Sequence, residues 1–181
     1  MGTGDGRAVL AAAGREPTTL VLGIDASRAA MTEASRRAAR PARKGGLGNA
    51  RFVLASAEAM PVELRGRAAL VTVSFPWGSL LRGCVGLDDM VAAGVASLVA
   101  PGGILEMTLA PADRDQLPGV PSTEAAIIAA ATRTFERLGF EVAAARPATP
   151  EEMAATGSTW AKRLGVAAGN RSPVLIRLSR R

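Results

Sequence analysis

The chain has no histidine, no tyrosine, one cysteine, four phenylalanines and two tryptophans in 181 residues. Each scarcity removes a class of chemistry. Without histidine the commonest general base is missing, and so is the commonest zinc ligand. Cys84 stands alone, which excludes a disulfide framework and a thiolate metal cluster. No apolar run reaches the roughly 20 residues that span a bilayer, and the opening Gly2-Thr3-Gly4-Asp5-Gly6 does not read as a signal peptide. A cytoplasmic, metal-free protein is expected. At 48% hydrophobic, a chain of this length buries one good core, which predicts a single domain over residues 1–181, and nothing in it calls for more than a monomer.

Lysine is also rare, with two residues against twenty arginines, and the formal charge is +6 with a pI near 11.1. A basic chain of this kind suits a polyanionic partner. The charge is clustered. Arg36, Arg37, Arg40, Arg43 and Lys44 crowd nine positions without an acid, with Arg36 and Arg40 on one helix face. Lys162, Arg163, Arg171, Arg177, Arg180 and Arg181 form a second group in a stretch, 153–181, that contains no acid. Solvated helix faces and a basic tail are the ordinary alternative for either group alone.

The two tryptophans occur in unusual settings, Phe75-Pro76-Trp77-Gly78-Ser79-Leu80-Leu81 and Ser158-Thr159-Trp160-Ala161-Lys162-Arg163-Leu164. Trp77, between Pro and Gly after an apolar run, is expected on a loop at a strand end, and Trp160 precedes two cations. A flat ring beside positive charge suits stacking of a nucleobase whose phosphates are held nearby. Two rings filling the core is the competing reading.

Apolar runs bounded by Gly, Pro or charge predict strands at 20–24, 51–54, 69–75, 104–109, 140–145 and 174–178. Helical patterns lie at 7–13, 29–39, 87–99 and 123–138. In the last, Ile127, Ile128, Ala131, Phe135 and Leu138 share a face, Ser122 is placed to cap it and Gly139 to end it. Asp88 and Asp89 open the third helix and Pro101-Gly102-Gly103 closes it. Strands alternating with helices predict an α/β fold with a mainly parallel, doubly wound sheet.

In such folds the ligand lies at the carboxyl ends of the strands, near the first glycine-rich turn. Residues 2–6 lead into a predicted helix, and Asp25 closes the next strand, where a carboxylate accepts hydrogen bonds from ribose hydroxyls. The loop lacks the third glycine of the dinucleotide fingerprint and the Gly-Lys-Ser/Thr of a P-loop. Paired with Asp25 it suits an adenosyl group such as that of S-adenosylmethionine. Ala57-Glu58, beyond the next strand, falls where adenine would rest, although Glu58 also reads as a solvated loop acid.

The glycine loop, Gly23-Ile24-Asp25, Lys44-Gly45-Gly46-Leu47, Ala57-Glu58, the Pro-Trp-Gly-Ser-Leu-Leu segment and Trp160-Ala161-Lys162-Arg163-Leu164 together resemble the Kam-type aminoglycoside-resistance methyltransferases, from Gly2 to about Leu178. The resemblance implies a class I, Rossmann-like, S-adenosylmethionine-dependent enzyme that methylates N1 of adenosine 1408 in the helix 44 decoding site of 16S rRNA, within the small ribosomal subunit. It implies that Trp77 and Trp160 sandwich the flipped adenine, with Ser158 bracing the loop of Trp160. Gly2, Thr3, Gly4, Asp5, Gly6, Asp25, Ala57 and Glu58 would hold the cofactor. Ser79 would contact cofactor or base, or merely cap a helix. Arg36, Arg37, Arg40, Arg43, Lys44, Lys162, Arg163 and Arg171 would grip the rRNA backbone. Adenine N1 carries its own lone pair, so the implied reaction needs no catalytic base, in keeping with the absent histidine.

Against the family, whose class I fold has a strand immediately before the glycine loop, this sequence begins at the loop. The expectation is therefore a chain lacking the family's N-terminal extension and first strand, through a start assigned too late or a truncated gene, with unpaired backbone on the neighbouring strands. The alternatives to the rRNA activity are a methyltransferase acting on another RNA or a small molecule, and an inactive relic that binds RNA.

Overall fold

The computed structural model describes residues 1–112, 115–158 and 171–181. Among these, α1 (Arg7–Arg15), β1 (Val21–Asp25), α2 (Arg28–Ala38), β2 (Ala50–Leu54), β3 (Ala68–Ser74), α3 (Gly78–Cys84), α4 (Asp89–Leu98), β4 (Val99–Leu109), α5 (Glu124–Arg137), β5 (Phe140–Pro147), α6 (Pro150–Ala155) and β6 (Val174–Arg180) follow one another. Short 3-10 turns lie at Ala42–Lys44, Ala57–Ala59 and Val62–Leu64. No helix among the described residues is long and apolar enough to cross a membrane.

The strands form two sheets, β1-β2 and β3-β4-β6-β5. β1 and β2 pair in parallel, as do β3 and β4, while β6 inserts antiparallel between β4 and β5. The α/β expectation stands with a mixed sheet. Residues 1–3 bridge the two sheets at their carboxyl ends: the α-amino group of Met1 donates to Thr72 O at 2.5 Å, and Gly2 N and Thr3 N donate to Ile24 O at 2.9 and 3.2 Å.

The larger core lies on the four-stranded sheet. α5 buries Ile127, Ala131, Thr134 and Phe135, a stripe at the helical spacing the sequence predicts. Phe135 meets Phe140 edge to face, 5.9 Å between centroids at 87°, and Leu105, Met107, Ile176 and Leu178 complete this layer. A smaller core of Val9, Leu10, Ala13, Ala34, Ala38 and Ala50 joins α1 and α2 to the β1-β2 sheet.

Three local expectations are corrected. Thr123, rather than Ser122, caps α5, its hydroxyl accepting from Ala126 N. α4 ends ahead of Pro101-Gly102-Gly103, at Leu98, but the next strand starts at Val99 instead of 104 and runs through these residues, because Ala68 pairs with Val99 and a register shift before Leu70 accommodates the residues that cannot keep the ladder. Two short helices escaped the sequence pattern. α3 follows Trp77 and buries Leu81, Gly83 and Cys84, and α6 starts at a reciprocal cap between Thr149 and Glu152.

Candidate active site

Local backbone geometry builds the glycine loop. Gly6 adopts φ 73° as the residue before α1, and a Cβ there would come within 2.4 Å of Ala34 Cβ, so only glycine lets the loop close onto α2. The loop is tied to the end of β1 by one side chain. Asp25 accepts from Gly4 N through Oδ2 and from Ser27 N through Oδ1, each at 2.8 Å. One carboxylate thus fixes both the loop that opens α1 and the turn that opens α2. Gly2, Gly4, Asp25 and Ala26, from that loop and that turn, border the same space.

That space is a cavity of about 240 Å³ at the carboxyl ends of β1, β2 and β3. Its wall brings together Gly2, Gly4, Asp25, Ala57, Glu58, Trp77 and Ser79, residues the sequence separates by up to 77 positions. Ala57 is held by α4: a Cβ on Gly94 would lie 1.8 Å from Ala57 O, so the bare backbone of the helix abuts the turn. Thr3, Asp5 and Gly6 shape the loop and do not line the wall. Thr3 N donates to Ile24 O, and Asp5 Oδ1 accepts from Arg7 N at 3.2 Å in the first turn of α1. Ser79 does not cap a helix. The residue before α3 is Trp77, with no side-chain cap, and Ser79 belongs to the cavity wall.

Trp77 is 42% exposed, so it does not fill the core. Its position follows from Phe75. Phe75 N donates to Thr108 O at 2.8 Å, its φ of 50° is left-handed, and its ring turns inward against Ala110 and Met153. With that side chain anchored inside, Pro76 stays buried in the cavity wall and Trp77 emerges at its rim. Such strain in a non-glycine residue beside a site holds only when its surroundings enforce it.

Ser158 follows α6, its amide donating to Thr156 Oγ1 at 3.2 Å. A Cβ on the neighbouring Gly157 would lie 3.5 Å from Ala8 Cα, which brings the end of α6 against the start of α1, beside the glycine loop. α6 is braced by Arg146, whose guanidinium grips Glu152 at 2.6 and 2.9 Å. That grip, with the Thr149 amide, lowers the Glu152 carboxyl to about 2. Trp160, Lys162 and Arg163 lie outside the described residues.

The two basic groups have different fates. Arg36, Arg37, Arg40, Arg43 and Lys44 are exposed at the end of α2 and the turn after it. Among them only Arg40 has an ionic neighbour among the described residues, Glu33 at 3.9 Å. The C-terminal arginines are engaged within the fold. Arg177 pairs with Glu106 across the β4-β6 ladder, Arg181 reaches Glu141, and Arg180 donates to Ala96 O and Val99 O at the end of α4. Arg171, expected to grip RNA, lies enclosed in this structure: its side chain is 5% exposed and forms a two-pronged pair with Asp115. An acid 56 positions away in sequence has claimed it.

Sequence reasoning left out Ala26, Ala55 and Ser56, which also line the cavity. Their signal was positional, since each lies just beyond a strand's carboxyl end. Cys84 is no nucleophile: burial pushes its thiol up to about 12, with the Met1 α-amino charge pulling weakly the other way.

The chain is similar to known proteins along most of its length. Residues 1–178 match the family described as NpmA: 16S rRNA (adenine(1408)-N(1))-methyltransferase. A 16S rRNA (adenine(1408)-N(1))-methyltransferase of Streptoalloteichus tenebrarius is 35% identical over 170 residues, covering 91% of this chain and 78% of the relative. Among solved structures, the aminoglycoside resistance methyltransferase NpmB1 is 36% identical with a TM-score of 0.81, covering 99% of this chain and 84% of that one. The W203A mutant of the corresponding enzyme from Catenulisporales acidiphilia, solved with cosubstrate SAM, is 33% identical with a TM-score of 0.84, covering 99% and 83%.

Proposed function

Since the chain belongs to the 16S rRNA (adenine(1408)-N(1))-methyltransferase family, we propose that it transfers a methyl group from S-adenosylmethionine to N1 of adenosine 1408 in the helix 44 decoding site of 16S rRNA, in the small ribosomal subunit, and so gives aminoglycoside resistance. The observation that carries this reading is Trp77, an exposed ring at the rim of a cavity whose floor is an Asp25-tethered glycine loop.

The methyl donor supplies a methyl group activated by a positively charged sulfur. Asp25 keeps acceptor capacity beyond its two backbone bonds, which suits ribose hydroxyls. The turn at Ala57–Ala59 offers an apolar floor for the donor's adenine, and Glu58 is the acid at its rim. Adenine N1 presents its own lone pair, so the protein removes no proton and its task is alignment, worth roughly 7–11 kcal/mol of barrier in well-oriented reactions. Trp77 holds the target base by stacking, at about 1–3 kcal/mol per ring, and Trp160 is assigned the opposite face. An N1-methylated adenine is cationic, and an indole face favours a cation. The assignment therefore covers product as well as substrate.

The exposed arginines at the end of α2 act as phosphate contacts. α2 runs back from the cavity for 11 residues, so these cations stand about 16 Å from its start. An RNA engaging both must be a folded body of fixed shape, which suits assembled rRNA better than a free nucleotide. The test is methyl transfer from labelled S-adenosylmethionine to purified small subunits, with the product mapped by reverse-transcription stops. Wild type is expected to stop at adenosine 1408. Trp77→Ala is expected to lose turnover while keeping donor affinity, and unchanged turnover would sink the reading.

A further inference from the structure

The Arg171–Asp115 pair has no part in the chemistry above, yet it is among the most enclosed ionic contacts in the described fold, with side chains 5% and 6% exposed. It ties together three stretches of chain. Arg171 Nη1 donates to Asp115 Oδ2 at 2.5 Å and to Ala110 O, at the end of β4, at 2.6 Å, and Nη2 donates to Asp115 Oδ1. Asp115 Oδ2 also accepts from Ala112 N at 2.9 Å. Burying two charges carries a desolvation cost that their attraction barely offsets, and apolar replacements of a buried pair are commonly as stable. Net stability is thus a poor account of the pair, and fixed geometry is a better one.

What it fixes adjoins the site. The carbonyl held by Arg171 belongs to Ala110, which packs with Phe75 and Met153 in a separate small cluster. Phe75 is the left-handed residue that delivers Trp77 to the rim, and its amide is bonded to Thr108, two residues before Ala110. Movement of the β4 end would pass through that cluster into the Trp77 turn.

We propose that Arg171 and Asp115 are positioning residues for methyl transfer, clamping the carboxyl end of β4 beneath the Phe75 turn so that Trp77 holds the target base in line. The proposal rests on the assignment of Trp77 to base stacking. Single replacements leave a lone buried charge, which can unfold the chain, so the decisive variant is the apolar pair Arg171→Met with Asp115→Leu, measured beside Arg171→Lys. The double variant also deprives Ala110 O and Ala112 N of these partners, so it is expected to melt a few degrees lower yet stay folded and keep its S-adenosylmethionine affinity, while kcat on small subunits falls roughly tenfold to a hundredfold with KM changed much less, as small misalignments do. Arg171→Lys, which keeps the charge but not the two-pronged geometry, is expected to recover only part of that loss. Unchanged kcat in the folded double variant overturns the proposal. So does a loss confined to KM and subunit affinity, which would make Arg171 a phosphate ligand released from Asp115 on binding. Trp77→Ala in the same assay separates the two ideas: if that variant keeps turnover, the stacking assignment has failed, whatever the pair does.

Discussion

Asp25 offers the sharpest test of how the glycine loop is built. Its two oxygens accept from Gly4 N and Ser27 N at 2.8 Å each. Hydrogen bonds to a charged partner contribute about 1.5–3 kcal/mol apiece. Asparagine has the same shape but one acceptor oxygen, so in Asp25→Asn one backbone N–H must face an NH2 group. The variant loses one bond, about 1.5–3 kcal/mol. The Gly4 bond is the more enclosed of the two and sets the upper part of that range. For a chain of this size each kcal/mol shifts Tm by about 2–4 °C, so a drop of roughly 3–12 °C is expected. The same difference in donor binding is a factor of roughly 10 to 150, because a loop that is not held at Gly4 must be ordered by the ligand. Thermal melts paired with calorimetric titration of S-adenosylhomocysteine measure both. A variant that melts with wild type and binds within twofold of it would refute the claim that this carboxylate tethers the loop.

Other consequences are open to direct measurement. Gly94→Ala places a methyl group 1.8 Å from Ala57 O, an overpacking expected to cost about 1–3 kcal/mol and to weaken donor binding by displacing Ala57, as melts and titration will record. Cys84 is the single cysteine and is fully buried with its thiol pushed up to about 12. Its labelling by Ellman's reagent should therefore track unfolding, and rapid labelling under native conditions would contradict that environment. The Glu152 carboxyl, lowered to about 2 by Arg146 and the Thr149 amide, has a folded pKa below its ordinary 4.5. Its contribution to α6 is therefore present above that ordinary value and lost as pH falls through about 2, which carboxyl-carbon NMR titration will follow. Replacing Arg36, Arg37, Arg43 and Lys44 by glutamine should flatten the salt dependence of subunit binding by up to about 3 units of log–log slope, whereas an unaltered slope would remove α2 from the RNA surface.

Much of this site was legible because its determinants are local. A glycine loop opening a helix, an aspartate closing the next strand and a tryptophan between proline and glycine each fix their own backbone, and a strand-end rule then gathers them into one cavity. Trp77 fell on a loop as expected because Pro76 and Gly78 leave few other conformations. The shorter helices were less legible. α6 has six residues and buries none completely, so no periodic apolar stripe announced it, and its Thr149–Glu152 cap was the one available signal. The third helix ended ahead of Pro101-Gly102-Gly103 as read, but the next strand began at Val99 rather than at 104 because a strand partner, Ala68, outweighed local propensity.

The sequence by itself determined which chemistry is available. It excluded a histidine base, a disulfide framework and a histidine or cysteine metal centre, and it supplied a glycine loop ahead of a helix, an aspartate at a strand end and a tryptophan between proline and glycine. Only the tertiary structure decided which charges face the solvent. Arg36 and Arg171 read alike along the chain, each in a basic stretch without an acid. One remains exposed on α2, while the other is enclosed against Asp115. The reason is that a charge is available to a partner only if no carboxylate has been folded against it, and folding brings together residues that are dozens of positions apart in sequence.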